Sequence, residues 1–288
     1  MNKTVLLIDG DIVCYKSAAA AQKTSIVVWD NDAVVGEFKN ITECRANIDN
    51  LELYETQVQV YAEPEHHAFY NVKRAIQFME DRFKPYRTIV CLSDAPTYRD
   101  MLATIRKYKG HRDPSLKPMH LRACREYLQN YYETCLMEHL EADDTIGILN
   151  SRIAEEGSKP IVCSTDKDLD QLPGYHYNFD KDIEYEVTPH QADHKLLSQA
   201  LSGDSTDNIP GIEGVGPKTA DQLAQGIMRG TSWREAVKNE YINKYGWDDG
   251  PKRFKETWYL VKICRSEDDV EELRAESQRV MSQNSQMA

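Results

Sequence analysis

Residues 4–11 read TVLLIDGD. The apolar run 5–8 closes on two carboxylates around a glycine, the pattern of a strand buried on both faces whose carboxyl end opens into a polar turn. Two later stretches repeat it: TIVCL at 88–92 runs into Ser93 and Asp94, and PIVC at 160–163 runs into STDKD at 164–168. Apolar residues at helical spacing predict helices over 12–21, 63–83, 120–132 and 143–155, and DND at 30–32 between apolar stretches 25–29 and 33–38 signals a hairpin. Strands separated by helices predict an α/β fold with a central, mostly parallel sheet and helices on both faces. Ligands of such sheets gather beyond the carboxyl ends of the strands, where three predicted strands deliver acids.

From Leu196 the chain changes character. A loop rich in glycine and acid, LSGDSTDNIPGIEGVGPKTA at 201–220, is followed by predicted helices at 218–228, 232–245 and 251–263. The expected organisation is a core over 1–195 that includes a basic segment at 98–125, a helical region over 196–265, and a frayed acidic and polar tail over 266–288.

The chain of 288 residues, 41% hydrophobic and 28% charged, is long enough for a substantial core and excludes disorder and small disulfide scaffolds. Its apolar runs fall far short of the ~20 residues of a membrane helix. The short apolar start does not resemble an export signal. Seven cysteines, odd in number and without a CxxC pair, fit reduced thiols in a cytoplasmic protein rather than disulfides or a zinc site. The net charge of -12 argues against a polyanion partner unless the acids are concentrated in one place.

Nine acids stand out by position: Asp9, Asp94, Glu141, Asp143, Asp144, Asp166, Asp168, Asp204 and Asp207. Any one alone is an ordinary turn former or helix cap. Together at one sheet edge they would repel strongly, which is tolerable if cations fill the space. Oxygen donors without His or Cys select a hard ion, Mg²⁺ or Mn²⁺. Glu141 and Asp144 share a helix face, Asp166 and Asp168 flank one turn, and Asp204 and Asp207 repeat the three-residue offset. That many carboxylates exceed the needs of one Mg²⁺, so two ions are implied, the arrangement that drives in-line displacement at phosphorus. Asp11 reads as a supporting or helix-capping group.

Residues 99–125 carry Arg99, Arg106, Lys107, Lys109, Arg112, Lys117, Arg122 and Arg125 against Asp100 and Asp113. The bland alternative is a solvated helix face. Starting five residues after Asp94, the stretch instead offers Lys109 and Arg112 to a scissile phosphate, and Tyr108 as a ring on which a terminal base could stack. Gly211, Gly214 and Gly216 precede Lys218 and Thr219 at the start of a predicted helix. Their backbone amides suit a phosphate at the helix N-terminus, and Lys218 and Thr219 suit non-specific contacts to a duplex.

In combination, the motifs LLIDGD, LSDAPTYR, YKGHRD, LEADD, STDKDLDQL and LSGDSTDNIPGIEGVGPKTA resemble the 5′-nuclease family: flap endonucleases, the 5′→3′ exonuclease domain of DNA polymerase I, and phage 5′→3′ exonucleases. A chain of this size is most similar to the phage enzymes. The resemblance implies a PIN-like nuclease core with a helix-hairpin-helix-type duplex-binding element that often holds K⁺. It implies the nine acids as ligands of two metal ions, Lys109 at the scissile phosphate and Arg112 close behind. The implied function is 5′→3′ exonuclease or flap-endonuclease cleavage of duplex DNA with 5′ ends, nicks or flaps, by a monomer in the cytoplasm, the host's if the chain is phage-encoded. The segment 25–38 departs from the family pattern, and 47 residues between Asp94 and Glu141 leave a short arch.

Three alternatives remain. A haloacid dehalogenase-type phosphatase would use Asp9 as covalent nucleophile and would not need Glu141, Asp143, Asp144 or the glycine turn. A DNA-binding module with decayed chemistry would not keep the full acid set. A primer-removing nuclease would prefer an RNA-DNA hybrid.

Overall fold

The computed structural model describes residues 3–287. In chain order its principal elements are β1 (Thr4–Asp9), α1 (Gly10–Ala20), β2 (Gln22–Asp30), β3 (Ala33–Phe38), α2 (Ile41–Asn47), β4 (Glu55–Ala62), α3 (Glu65–Phe83), β5 (Arg87–Cys91), α4 (Tyr98–Leu102) and α5 (Leu121–Tyr131). There follow β6 (Thr134–Cys135), α6 (Ala142–Glu155), β7 (Lys159–Cys163), β8 (Gly174–Asn178), β9 (Ile183–Val187), α7 (Pro189–Ser202), β10 (Gly203–Asp204), β11 (Ile209–Pro210), α8 (Pro217–Ile227), α9 (Trp233–Val261) and α10 (Glu267–Met287). The described residues form two compact units, one of residues 3–11, 79–114 and 132–287, the other of residues 12–78 and 115–131.

The first unit is built on a six-stranded sheet of order β6-β5-β1-β7-β8-β9, parallel except where β9 runs antiparallel to β8. β1 is central because its apolar run can be covered on both faces: Leu6, Leu7 and Ile8 are fully buried. Asp9 pairs with Cys91 of β5, and Ile8 with Cys163 of β7, so the three strands end level. Their polar exits therefore share one edge, as the α/β reading expects.

The helical region after Leu196 belongs to the same unit. The expected boundary at 195/196 falls inside α7, whose Leu196, Leu197, Ala200 and Leu201 pack in one cluster with Ala220 and Ala224 of α8 and Val237, Tyr241, Phe254 and Trp258 of α9. The two helices predicted at 232–245 and 251–263 are the halves of α9, broken where Gly246 adopts φ 80. The tail is not frayed: it is α10, with Val270, Leu273, Glu276 and Ser277 buried on one face. Arg274 Nε donates to Tyr98 Oη of α4 at 3.0 Å, and Lys255 and Arg279 pair with Glu276. Only Val270, Leu273 and Val280 mark that face as apolar, too sparse a stripe to announce the helix.

The second unit contains a three-stranded antiparallel sheet of order β3-β2-β4. β2 and β3 are the predicted hairpin; β4 takes up residues just before the expected helix at 63–83, which begins at Glu65. Val27, Val28, Ala68, Val72, Ile76, Cys124 and Leu128 are buried in this unit, and Phe69 stacks on Tyr127 at 4.8 Å between centroids. The basic segment 98–125 is divided: Lys117, Arg122 and Arg125 lie in the second unit, the cations from Arg99 to Arg112 in the first. Six of the seven cysteines are buried and one is half-buried, all free. Among the described residues no helix is long and apolar enough to cross a membrane.

Because Leu273 is 2% exposed, Leu273→Ala is expected to cost about 2–4 kcal/mol in urea unfolding. A frayed tail would give no change.

Candidate active site

Asp9 leaves β1 only 2% exposed, and its Oδ2 accepts a hydrogen bond from Ser164 Oγ at 2.8 Å. Ser164, just past β7, also accepts from the amide of Asp166 at 3.0 Å, which holds the STDKD turn against the end of β1. Asp11 accepts from the amide of Ser93 at 3.0 Å, a supporting role as expected. Glu141 is the N-cap of α6 and Asp143 lies in its first turn, where the helix dipole favours negative charge. Burial, then the charges of Asp9, Asp166 and Glu141, hold the Asp143 carboxyl well above the usual carboxylate range. These four acids form one group.

A second group comes from the 3-10 turn Asp168–Gln171 after β7 and from the hairpin after α7. Asp168 donates its amide to Asp166 Oδ1 at 2.8 Å, and its own Oδ1 accepts from Gln199 Nε2 at 2.8 Å and meets Lys195 Nζ at 3.0 Å. Burial and then Asp168 raise the pKa of Asp204. Asp204 and Asp207 are presented by the β10–β11 hairpin, where Asp204 Oδ1 accepts from the amides of Thr206 at 2.7 Å and Asp207 at 3.3 Å. The hairpin requires its flanking glycines: a Cβ on Gly203 would lie 2.3 Å from Gly211 N, and one on Gly211 2.3 Å from Gly203 N.

The two groups meet around a cavity of ≈ 30 Å³ lined by Glu141, Asp143, Asp168, Asp204 and Asp207, with Leu260, Val261 and Ile263 on its apolar side. Tyr108 Oη lies 2.9 Å from both Glu141 Oε2 and Asp207 Oδ2. Lys109 Nζ donates to Glu141 Oε1 at 2.6 Å and lies 3.6 Å from Asp207, while Arg112 pairs with Asp207 at 2.5 Å. Burial alone would lower the Lys109 pKa, but Glu141 and Asp207 outweigh it and keep the ammonium charged.

Several expectations are corrected. Asp144 is no candidate ligand: fully buried, both its oxygens face the Arg99 guanidinium, Oδ1 also accepts from the amide of Cys264 at 2.9 Å, and Oδ2 accepts from the amide of Glu141 at 3.3 Å. Arg99 is correspondingly unavailable to DNA, being 3% exposed and further committed to the carbonyls of Leu260 and Lys262. Tyr108 is buried, so its ring offers no stacking surface. Asp94, three residues past the end of β5, has its Oδ2 accepting from the amide of His139 at 3.1 Å. Lys195 and Gln199 escaped the sequence reading because they reach the site through packing of α7, and Gln171 because nothing in STDKDLDQL marks its amide as buried.

The donor set around the cavity is all oxygen and holds more negative charge than its lysines and arginines offset, which fits hard divalent ions. Among the described residues no three acidic, His or Cys side chains are already closed into a metal cage. Lys109, Arg112 and Lys195 instead occupy part of the carboxylate surface.

Of the expected DNA contacts, Arg106, Lys107 and Arg112 are exposed and Lys109 half-buried. Asn208 Nδ2 donates to the Lys107 carbonyl at 2.9 Å, and the Lys109 amide to the Asp207 carbonyl at 2.9 Å, pinning this stretch to the hairpin. Gly214, Gly216, Lys218 and Thr219 are exposed around the start of α8.

Residues 4–196 match the family model for the 5′-3′ exonuclease, N-terminal resolvase-like domain. The chain is 38% identical over 139 residues to DNA polymerase I of Bacillus caldotenax, covering 41% of this chain and 15% of that protein. It is 34% identical over 127 residues to the flap endonuclease Xni of Shewanella sediminis (strain HAW-EB3), covering 40% and 50%. The chain thus spans half or less of the length of these relatives. The T5 D15 protein co-crystallised with metal ions shares the fold, with a TM-score of 0.62 at 15% identity over 97% of this chain and 99% of that one.

A carboxyl whose folded pKa is raised stabilises the fold fully below its unfolded value, about 4, and loses that contribution as pH rises through the folded value. In EDTA, Asp143→Asn is therefore expected to be more stable to urea than the wild type at pH 7, the advantage vanishing below about pH 4. A more stable wild type at pH 7 would contradict the crowding described for Asp143.

Proposed function

Because the chain belongs to the 5′-3′ exonuclease family, we propose that it is a divalent-metal-dependent, structure-specific 5′ nuclease that hydrolyses phosphodiesters at 5′ ends, nicks and flaps of duplex DNA. The observation that carries this is the convergence of two acid groups on one small cavity with a charged lysine at its mouth. Asp9, Asp94, Glu141, Asp143, Asp166, Asp168, Asp204 and Asp207 are the residues that would hold two Mg²⁺ or Mn²⁺ ions. When bound, such ions supply Lewis acidity toward the phosphodiester and a water of lowered pKa.

The chain's own residues do the rest. Tyr108 stays a neutral phenol, its pKa raised by burial and by Glu141, and its hydroxyl keeps Glu141 and Asp207 facing across the cavity. Lys109, held charged, meets the developing negative charge of the scissile phosphate, with Arg112 beside it. Arg106 and Lys107 extend that positive surface along the strand.

The duplex is taken by the turn at 211–216 and the start of α8. Gly216 is the N-cap of this helix, and a Cβ there would meet nothing within 4 Å. The fold does not demand glycine at 216, whereas close approach of a phosphate to the backbone does. Lys218 and Thr219 add backbone contacts, and carbonyls of the turn are the proposed seat of K⁺. The protein acts as a monomer in this reading, and an RNA-DNA hybrid is the alternative substrate. The phosphatase alternative is disfavoured by the match of residues 4–196 to the 5′-3′ exonuclease domain.

End-labelled duplex, nicked, flap and hybrid substrates, digested with and without Mg²⁺, test the proposal through early product lengths. Mg²⁺-dependent cleavage from 5′ DNA ends or flaps is expected, with Lys109→Ala lowering kcat by about 10²–10³-fold and changing KM little. Cleavage from 3′ ends, or undiminished turnover in EDTA, would defeat it. Gly216→Ala is expected to cost no more than about 1 kcal/mol of stability, alanine being the poorer N-cap, yet weaken duplex binding severalfold in a filter-binding assay. Unchanged affinity would remove the glycine turn from the interface.

A further inference from the structure

Residues 260–264, a strap made of the last residues of α9 and the first of its connection to α10, run along the apolar side of the acid cavity, and their backbone groups are bonded alternately to two sides. Leu260 O and Lys262 O accept from Arg99, and Cys264 N donates to Asp144. The intervening groups go to Gln171: its Oε1 accepts from the amide of Ile263 at 3.1 Å, and its Nε2 donates to the Val261 carbonyl at 2.8 Å.

This pairing fixes which way the Gln171 amide points, since a flip would set N–H against N–H and oxygen against oxygen. The second proton of Gln171 Nε2 goes to Gln199 Oε1 at 2.7 Å. With its oxygen so engaged, Gln199 has its Nε2 as donor, and that nitrogen lies 2.8 Å from Asp168 Oδ1. Gln171 is 1% exposed and Gln199 7%, so water does not compete for these bonds. The result is a one-way relay from a backbone amide through two side-chain amides to a carboxylate of the acid cavity.

We infer that Gln199 is a positioning residue that, locked by Gln171 and the strap, fixes the orientation of Asp168 for divalent-ion binding. The inference rests on the proposed role of Asp168 as a ligand. Lys195 holds the same oxygen, but as a cation it opposes an arriving divalent ion. Gln199 is neutral and can keep its bond throughout, orienting one carboxylate oxygen of a side chain that also partners Asp204 across the cavity. Partners of this kind, one bond removed from the ion, typically contribute about 10–100-fold to metal affinity.

The test is Gln199→Leu, which keeps the volume and removes the donor, with Gln199→Glu as a second variant that keeps an acceptor for Gln171 but sets a carboxylate against Asp168. Both are measured by calorimetric Mn²⁺ titration without DNA, by the Mg²⁺ concentration for half-maximal cleavage, and by duplex affinity in EDTA. The expected result is a rise of about 10–100-fold in both metal constants with duplex affinity unchanged. Asp168→Ala is run alongside. If it weakens Mn²⁺ binding while either folded Gln199 variant binds Mn²⁺ like the wild type, the relay has no positioning role. If Asp168→Ala itself leaves Mn²⁺ binding unchanged, the assignment of Asp168 as a ligand falls, and the inference with it.

Discussion

Mutual repulsion of carboxylates is the constraint around which the first unit is organised. Strand ends, the first turn of α6 and the β10–β11 hairpin bring acids toward one place, and four of them are restrained by side chains outside the acid set. Asp9 has Ser164, Glu141 has Tyr108 and Lys109, Asp168 has Gln199 and Lys195, and Asp207 has Arg112. Asp143 has the least relief, and its pKa is raised by burial first and then by the charges of Asp9, Asp166 and Glu141.

The buried Arg99–Asp144 pair solves a different problem. Two charges taken out of water are tolerable only with their remaining hydrogen-bonding capacity filled. Leu260 O, Lys262 O, Cys264 N and Glu141 N do this, so the pair ties the entrance of α6 to the strap behind the cavity. The strap can occupy that position because α10, beyond it, is anchored by Val270 and Leu273. An end of the chain that looks merely polar in sequence is thus part of what supports the acids.

The central strands, the hairpin at 25–38 and most of the acids were legible because their signals are local: apolar runs ending in Asp, a DND turn, carboxylates three apart. What was misread depends on distant partners. Asp144 looks like its neighbours in LEADD, and only the buried guanidinium of Arg99, 45 residues away, removes it from the ligand set. Tyr108, between two lysines, looks exposed, but its hydroxyl is drawn inward by two carboxylates. The net charge of -12 is sharpened in the same way: much of it is gathered at the cavity, while Arg106, Lys107, Arg112 and Lys218 leave positive charge on exposed surface.

Under the proposed function, this excess of carboxylate is a site for two divalent ions. Counting bound Mn²⁺ per chain by electron paramagnetic resonance, at saturating metal and without nucleic acid, tests it most directly. Two ions per chain, reduced by Asp143→Ala in a protein that still melts cooperatively, is the predicted result. No bound Mn²⁺, or a count indifferent to Asp143, would contradict it.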